Sequence, residues 1–265
     1  GFLIGAYAPE IKEDLSFGDT ELGALLTSGY LISSIVMSTA GGIADRRGPR
    51  LVLRIGVIIA ALAAFLTGLI SNTYLLLLIC FGLNRVAEGI IQPATNTLIS
   101  TGVAPTRQGI AMATKQSAVP FSTALAGFAV PTLGLFFDWR GTFLLVACLA
   151  VPTWLLIPNI KVSETKEFSS RREMWGSRHL QIIAVAGAFS AAAVVTVAGF
   201  LTTSAKNAGY SESSAGLILG LGGVVMIAAR LSWGFLADRF SFNRFKAVAI
   251  SLLTGSLAFI LFAIG

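Results

Sequence analysis

The chain has 265 residues, 55% of them hydrophobic and only 12% charged, with a mean hydropathy of +0.80. That charged share is about half of the roughly 25% found in ordinary soluble domains, which excludes a single soluble globule. The net charge of +6 fits the basic loops of a membrane protein, so no nucleic-acid partner is expected.

Apolar runs close to the ~20 residues needed to cross a bilayer as a helix recur along the chain. They do not alternate at period two, so a β-barrel is excluded and an all-α polytopic membrane protein is expected. In chain order the predicted segments are a tail at 1–8, then 22–44, 51–71, 74–98, 108–136, 141–158, 180–203, 213–237 and 246–265. The tail is too short to span and lacks the basic region and cleavage site of a signal peptide. Opening at Gly1 and closing at Gly265 inside an apolar run, the sequence reads as an internal piece of a longer protein. Most connections are short, as between antiparallel neighbours, but 159–179 is polar and charged and divides the chain into two parts. Cys80 and Cys148 lie in apolar runs and read as packing residues.

If the helices alternate in direction, the turns at 45–54, 99–107, 159–179 and 238–246 share one side. They carry Arg46, Arg47, Arg50, Arg54, Arg107, Lys161, Lys166, Arg171, Arg172, Arg178, Arg239, Arg244 and Lys246. The opposite turns carry only Lys12, Arg140 and Lys206, and the first of them is acidic. By the positive-inside rule the basic side, including the loop 159–179, is expected to be cytoplasmic; the membrane is expected to be the plasma (inner) membrane.

One charged turn occurs twice. "GGIADRRGPR" spans Gly41 to Arg50, and "GFLADRFSFNR" spans Gly234 to Arg244, with Asp45 and Asp238 about six helices apart. Such internal repeats are common in secondary transporters. Gly41 and Gly234 permit close helix contact. Asp45 and Asp238 end helices, where the dipole disfavours a carboxylate, so neighbouring arginines or another helix N-terminus should stabilise them.

The first copy resembles the signature loop of the major facilitator superfamily, through Gly41, Asp45, Arg46, Gly48 and Arg50; the second keeps Gly234, Asp238 and Arg239 but has Ser241 in place of the later glycine. "RVAEG" from Arg85 to Gly89 and "DWRGTF" from Asp138 to Phe143 resemble further motifs of that family. The resemblance implies two pseudo-symmetric six-helix bundles: helices 1 (incomplete) to 6 over 1–158, a cytoplasmic loop over 159–179, and helices 7 to 9 of a truncated second bundle over 180–265. It also implies that the repeated loop latches the bundles in one state of an alternating-access cycle, with helix 11 as the expected partner of Asp45. The 265 residues alone are not expected to transport.

Ionisable residues at membrane depth usually face a cavity or a partner. Arg85 lies near mid-bilayer, and Glu88, Gln92 and Asn96 follow it at helical offsets. This stripe either lines a water-filled path, with Glu88 as a proton-exchanging acid, or forms an internal Arg–Glu pair that holds helices together. Lys115 in "ATKQSAVP" either attracts an anion or snorkels to the interface, the latter favoured by its shallow depth. Arg230 has no counterpart in the first half, where Met37 stands. The stretch "ARLSWGFLAD" resembles helix 8 of monocarboxylate-type members, in which an arginine pairs with the substrate carboxylate; the other reading of Arg230 is structural. Gly216, Gly220, Gly222 and Gly223 look like close-packing positions.

The resulting expectation is a monomeric secondary transporter of a small organic anion, with protons as a coupling partner and the lipid bilayer as its surroundings. The alternatives are an efflux antiporter for hydrophobic compounds, against which count Ala126, Val130 and Leu135 around Pro131, and a non-transporting membrane sensor. An enzyme, a cofactor and a metal are not expected: the single histidine, His179, sits in the central loop beside Arg178.

Overall fold

The computed structural model describes residues 2–157, 178–239, 250 and 253–257. Segment 159–177 and most of the run 246–265 therefore lie outside the described residues. The regular elements are α1 (Phe2–Ala6), α2 (Ala8–Asp14), α3 (Asp19–Arg47), α4 (Pro49–Ile70), α5 (Tyr74–Gly102), α6 (Gln108–Leu133), α7 (Trp139–Leu156), α8 (Arg178–Asn207) and α9 (Glu212–Arg239), with a 3-10 turn at Pro105–Arg107. Among the described residues the fold is helical, with no strand.

Local chemistry explains where the helices start and stop. Thr73 accepts from the Leu76 N–H at 3.3 Å, and Asp138 accepts from the Gly141 N–H at 2.8 Å, each capping an N-terminus. At the start of α3 the Glu21 carboxylate reaches back to the Gly18 N–H at 3.0 Å. Gly48 alone joins α3 to α4, at φ 86° and ψ 135°, a conformation that a side chain resists. Pro49 follows at the first turn of α4, where its missing N–H costs nothing.

Six helices are long and apolar enough to cross a membrane: α3, α4, α5, α7, α8 and α9. Their large exposed side chains, such as Ile35, Leu69, Leu75, Phe189 and Leu221, are what a lipid surround requires. The run predicted at 108–136 forms α6, whose 26 residues are also long enough to span. It is less apolar because Thr114, Lys115, Gln116, Ser117, Ser122 and Thr123 interrupt it.

Helix α5 packs between α3 and α4, α7 packs on α4, and α6 packs most extensively on α9. The first residues do more than expected of a short apolar tail. Ile4, Ala8 and Ile11 are almost wholly buried in one core with Leu22, Leu25, Leu77, Phe81, Trp139 and Leu219. The α1–α2 segment is a wedge against α6 and α8. The "DWRGTF" turn fastens it: Trp139 Nε1 donates to Asp14 at 3.2 Å, while Arg140 pairs with Asp14 at 2.5 Å and donates to the Ser71 carbonyl at 3.1 Å.

The α6–α9 contact is close because glycines of α9 receive the backbone and side chains of α6. On α9 the facing positions 216, 220, 223, 227, 230 and 234 recur at alternating steps of four and three, and four of them are glycine. A Cβ on Gly127 of α6 would lie 2.5 Å from the Gly216 carbonyl oxygen, and one on Gly223 would lie 2.6 Å from the Pro120 carbonyl oxygen. The two copies of the repeated turn differ here. A Cβ on Gly234 would collide with Ala113, whereas one on Gly41 would meet only Pro93 at 3.7 Å, an ordinary contact. The close approach expected at Gly41 is therefore absent among the described residues. Gly127→Ala should destabilise the full-length protein by roughly 1–3 kcal/mol through overpacking, whereas Gly41→Ala should be close to neutral. Thermal unfolding in detergent, read by tryptophan fluorescence, compares the two.

Candidate functional site

Helix α5 carries Arg85, Glu88 and Gln92 on one face, as their spacing requires. Arg85 is buried, at 5% exposure, against the close approach of α3 at Gly29. Its guanidinium pairs with Glu88, donates to Asn84 Oδ1 at 2.9 Å, and lies over the rings of Phe81 at 4.9 Å and Tyr30 at 5.4 Å. A buried charge needs such neutralisation and such donors' partners. The Arg85–Glu88 pair is thus internal to the first helices, and its aromatic neighbours, Tyr30 above all, were not singled out in the sequence. Asn96, at the end of the expected stripe, is exposed.

Lys115 extends from α6 across the sparse α5–α6 contact. Its ammonium donates to Gln92 Oε1 and, at 3.2 Å, to Gln116 Oε1. Its ammonium therefore reaches toward α5. Arg230 of α9 donates from Nη1 to the Gln116 backbone carbonyl at 3.1 Å. A network of Gln92, Lys115, Gln116 and Arg230 so joins α5, α6 and α9. Among the described residues neither cation touches a carboxylate; each is held only by amide oxygens. Gln116 reads as a plain neighbour of Lys115 in the sequence, yet its carbonyl links the two cations' helices. The polar residues on α3 are less engaged: Ser34 and Ser38 donate to the carbonyls of Tyr30 and Ile35 in their own helix.

In the repeated turn, Asp45 accepts from Thr97 Oγ1 of α5 at 3.2 Å. That hydroxyl supplies the stabilisation expected from arginines or a helix N-terminus; Arg46 and Arg47 are exposed, and no ion pair to Asp45 is present among the described residues. Arg50 is half-buried, and Arg54 lies over the Trp154 ring at 4.6 Å, tying the basic turn to α7. The side chains of Asp238, Arg239 and His179 lie outside the described residues.

Several long apolar helices, charges held internally at depth and helices touching through glycine define a polytopic α-helical membrane protein. More narrowly, the chain belongs to the Major Facilitator Superfamily, whose family model matches residues 1–265. It is similar to a hexuronate transporter of Bacillus subtilis, 27% identical over 149 residues that make up 54% of this chain and 34% of that protein. A probable L-galactonate transporter of Escherichia coli is 27% identical over 53% of this chain and 31% of its own length. An MFS-type efflux pump of Mycolicibacterium smegmatis is 25% identical over 61% of this chain and 38% of its own length. The aligned part thus spans about a third of the length of these relatives.

At the acidic end, outside the membrane-spanning helices, Glu10 shares a small cleft with Tyr7, Thr202 and Glu212. Burial pushes its carboxyl above the ordinary value of 4.5, opposed by the Trp139 N–H and reinforced by Glu212, Asp138 and Asp14. A raised native value means the folded protein holds the proton longer than the unfolded chain does. The associated stability is complete below 4.5 and is lost as the pH rises through the native value. Glu10→Gln should therefore flatten the fall in stability over that window; thermal midpoints of both proteins between pH 4 and 8 give the comparison.

Proposed function

We propose that the protein is a secondary transporter that moves a small organic acid across the plasma membrane by alternating access. The observation that carries this reading is the Gln92–Lys115–Gln116–Arg230 network. Two cations from different helices are joined there through Gln116, with only neutral oxygens as partners among the described residues, and cations at membrane depth need an anion to complement them. A guanidinium offers a planar fork that matches a carboxylate. The names of the hexuronate and L-galactonate relatives, both sugar acids, agree with that chemistry. In this reading residues 1–158 form most of one bundle and 180–265 begin the other, with the basic turns and 159–179 on the cytoplasmic side.

The turn with Gly41, Asp45, Arg46, Gly48 and Arg50, and its copy with Gly234, Asp238 and Arg239, is assigned the conformational latch. The Thr97–Asp45 bond supports this, because it holds the carboxylate at the helix end, ready for a partner. Proton coupling is assigned to Glu88, which among the described residues is the one acid deep within the spanning helices. A proton on Glu88 would cancel its charge and loosen Arg85. A second reading, export of hydrophobic compounds, is favoured only by the Mycolicibacterium relative and by Pro131 and Gly134 on α6.

The test uses the full-length protein in vesicles with an imposed pH gradient and labelled glucuronate, L-galactonate and neutral lipophilic compounds. Arg230→Gln should lower kcat/KM for a carboxylate roughly 10- to 100-fold, the worth of a charged hydrogen bond. Uptake of neutral compounds that ignores the substitution would overturn the organic-acid reading and support export. Glu88→Gln should abolish the response of uptake to the pH gradient while leaving substrate exchange across the membrane. Accumulation that still follows the gradient in that variant would remove Glu88 from the coupling.

A further inference from the structure

Side chains of α8 and α9 donate hydrogen bonds to backbone carbonyls of the helices before 158 at two places of interest. Thr202 Oγ1 donates to the Gly5 carbonyl at 2.5 Å, and Arg230 Nη1 donates to the Gln116 carbonyl at 3.1 Å. Each acceptor lies four residues before a proline, Pro9 and Pro120 respectively. Proline has no N–H, so the carbonyl one turn earlier loses its helical donor. In a bilayer it must find another, because no water is there to serve. In both places the donor comes from beyond the central segment.

The two points differ in burial. Thr202 is 1% exposed and sits deep in the wedge formed by α1 and α2. Arg230 is half-buried, is bound through one of its nitrogens, and adjoins the Lys115 network. It is also the one charged residue in a stripe of α9 that otherwise consists of Gly216, Gly220, Gly223, Ile227 and Gly234. A seam built of glycine slides easily unless something polar sets its register, which is the use of a lone polar residue in a helix interface.

We propose that Pro120 exposes the Gln116 carbonyl as a backbone dock for Arg230, and that this bond is a releasable lock on the α6–α9 seam. Release by a substrate carboxylate, which competes for the same guanidinium, rests on the proposed function; the lock itself does not. The lock makes an unusual pair of expectations. Pro120→Ala restores an N–H at position 120, which takes the Gln116 carbonyl into the helix and frees Arg230. Arg230→Gln breaks the same bond from the other side. Both open the seam, yet they act oppositely on anion affinity: the first raises it, on the order of fivefold if the locked form had been the main one, and the second lowers it.

The experiment places spin labels at Thr106 and Phe235, exposed positions near the basic end of α6 and α9, in the full-length protein with Cys80 and Cys148 replaced by serine. Distances are read in nanodiscs with and without glucuronate or L-galactonate, and binding is read by calorimetry. The expected result is a longer distance in Pro120→Ala and in Arg230→Gln, with the double variant no longer than either single one. An unchanged distance in both variants overturns the lock. So does an additive effect in the double variant, which would make Pro120 act through helix shape. Weaker binding in Pro120→Ala likewise overturns it. A seam that opens in both variants, while neither carboxylate binds or opens the parent, upholds the lock and instead removes the organic-acid reading.

Discussion

The approach of α6 and α9 is the constraint on which the rest of the structure depends. Gly127, Gly216, Gly220 and Gly223 leave no room for a Cβ of their own, and the facing helix fills that space with its backbone and with side chains such as Phe128. Between helices surrounded by lipid there is little hydrophobic drive for association, and close van der Waals contact between small residues supplies much of what holds them. The same closeness brings Arg230 within reach of the Gln116 carbonyl. Through Gln116 and Lys115 it extends to Gln92 on α5. A polar site spanning three helices thus follows from a seam that is almost devoid of chemistry.

Charge inside the membrane is handled in two ways. Arg85 is closed off: it has a carboxylate, an amide oxygen and two aromatic faces, all from α3 and α5. Such pairing within α3 and α5 suits a residue that organises its own group of helices. Lys115 and Arg230 are instead met by neutral oxygens, which orient a cation without cancelling it. An anion arriving there has charge left to bind. The contrast between a cation paired with a carboxylate and two cations met by neutral oxygens is one that depth along the helices does not reveal.

The ends of the helices show a division of a similar kind. At the acidic end, Trp139 and Arg140 grip Asp14 and the terminus of α4, so that the α1–α2 wedge is held from outside. At the basic end the connection between α3 and α4 is a single glycine, and Asp45 is held by one hydroxyl of α5. The first arrangement is rigid and multiply tied; the second leaves a carboxylate near the surface with capacity for another partner.

The sequence by itself determined the helices and their order, because apolar runs, caps and proline or glycine breaks are local properties. It showed the repeated charged turn for the same reason. It also placed Arg85, Glu88 and Gln92 on one face, since helical period needs no tertiary information. Which helices touch was decided only by the tertiary structure. Periodicity could not reveal that Lys115 reaches to Gln92, that Thr97 rather than an arginine holds Asp45, or that the opening residues form a buried wedge. A proline with a glutamine four residues before it was visible all along as a carbonyl in want of a donor. That the donor is Arg230, more than a hundred residues away, depended on two helices meeting through glycine, and no local pattern encodes that meeting.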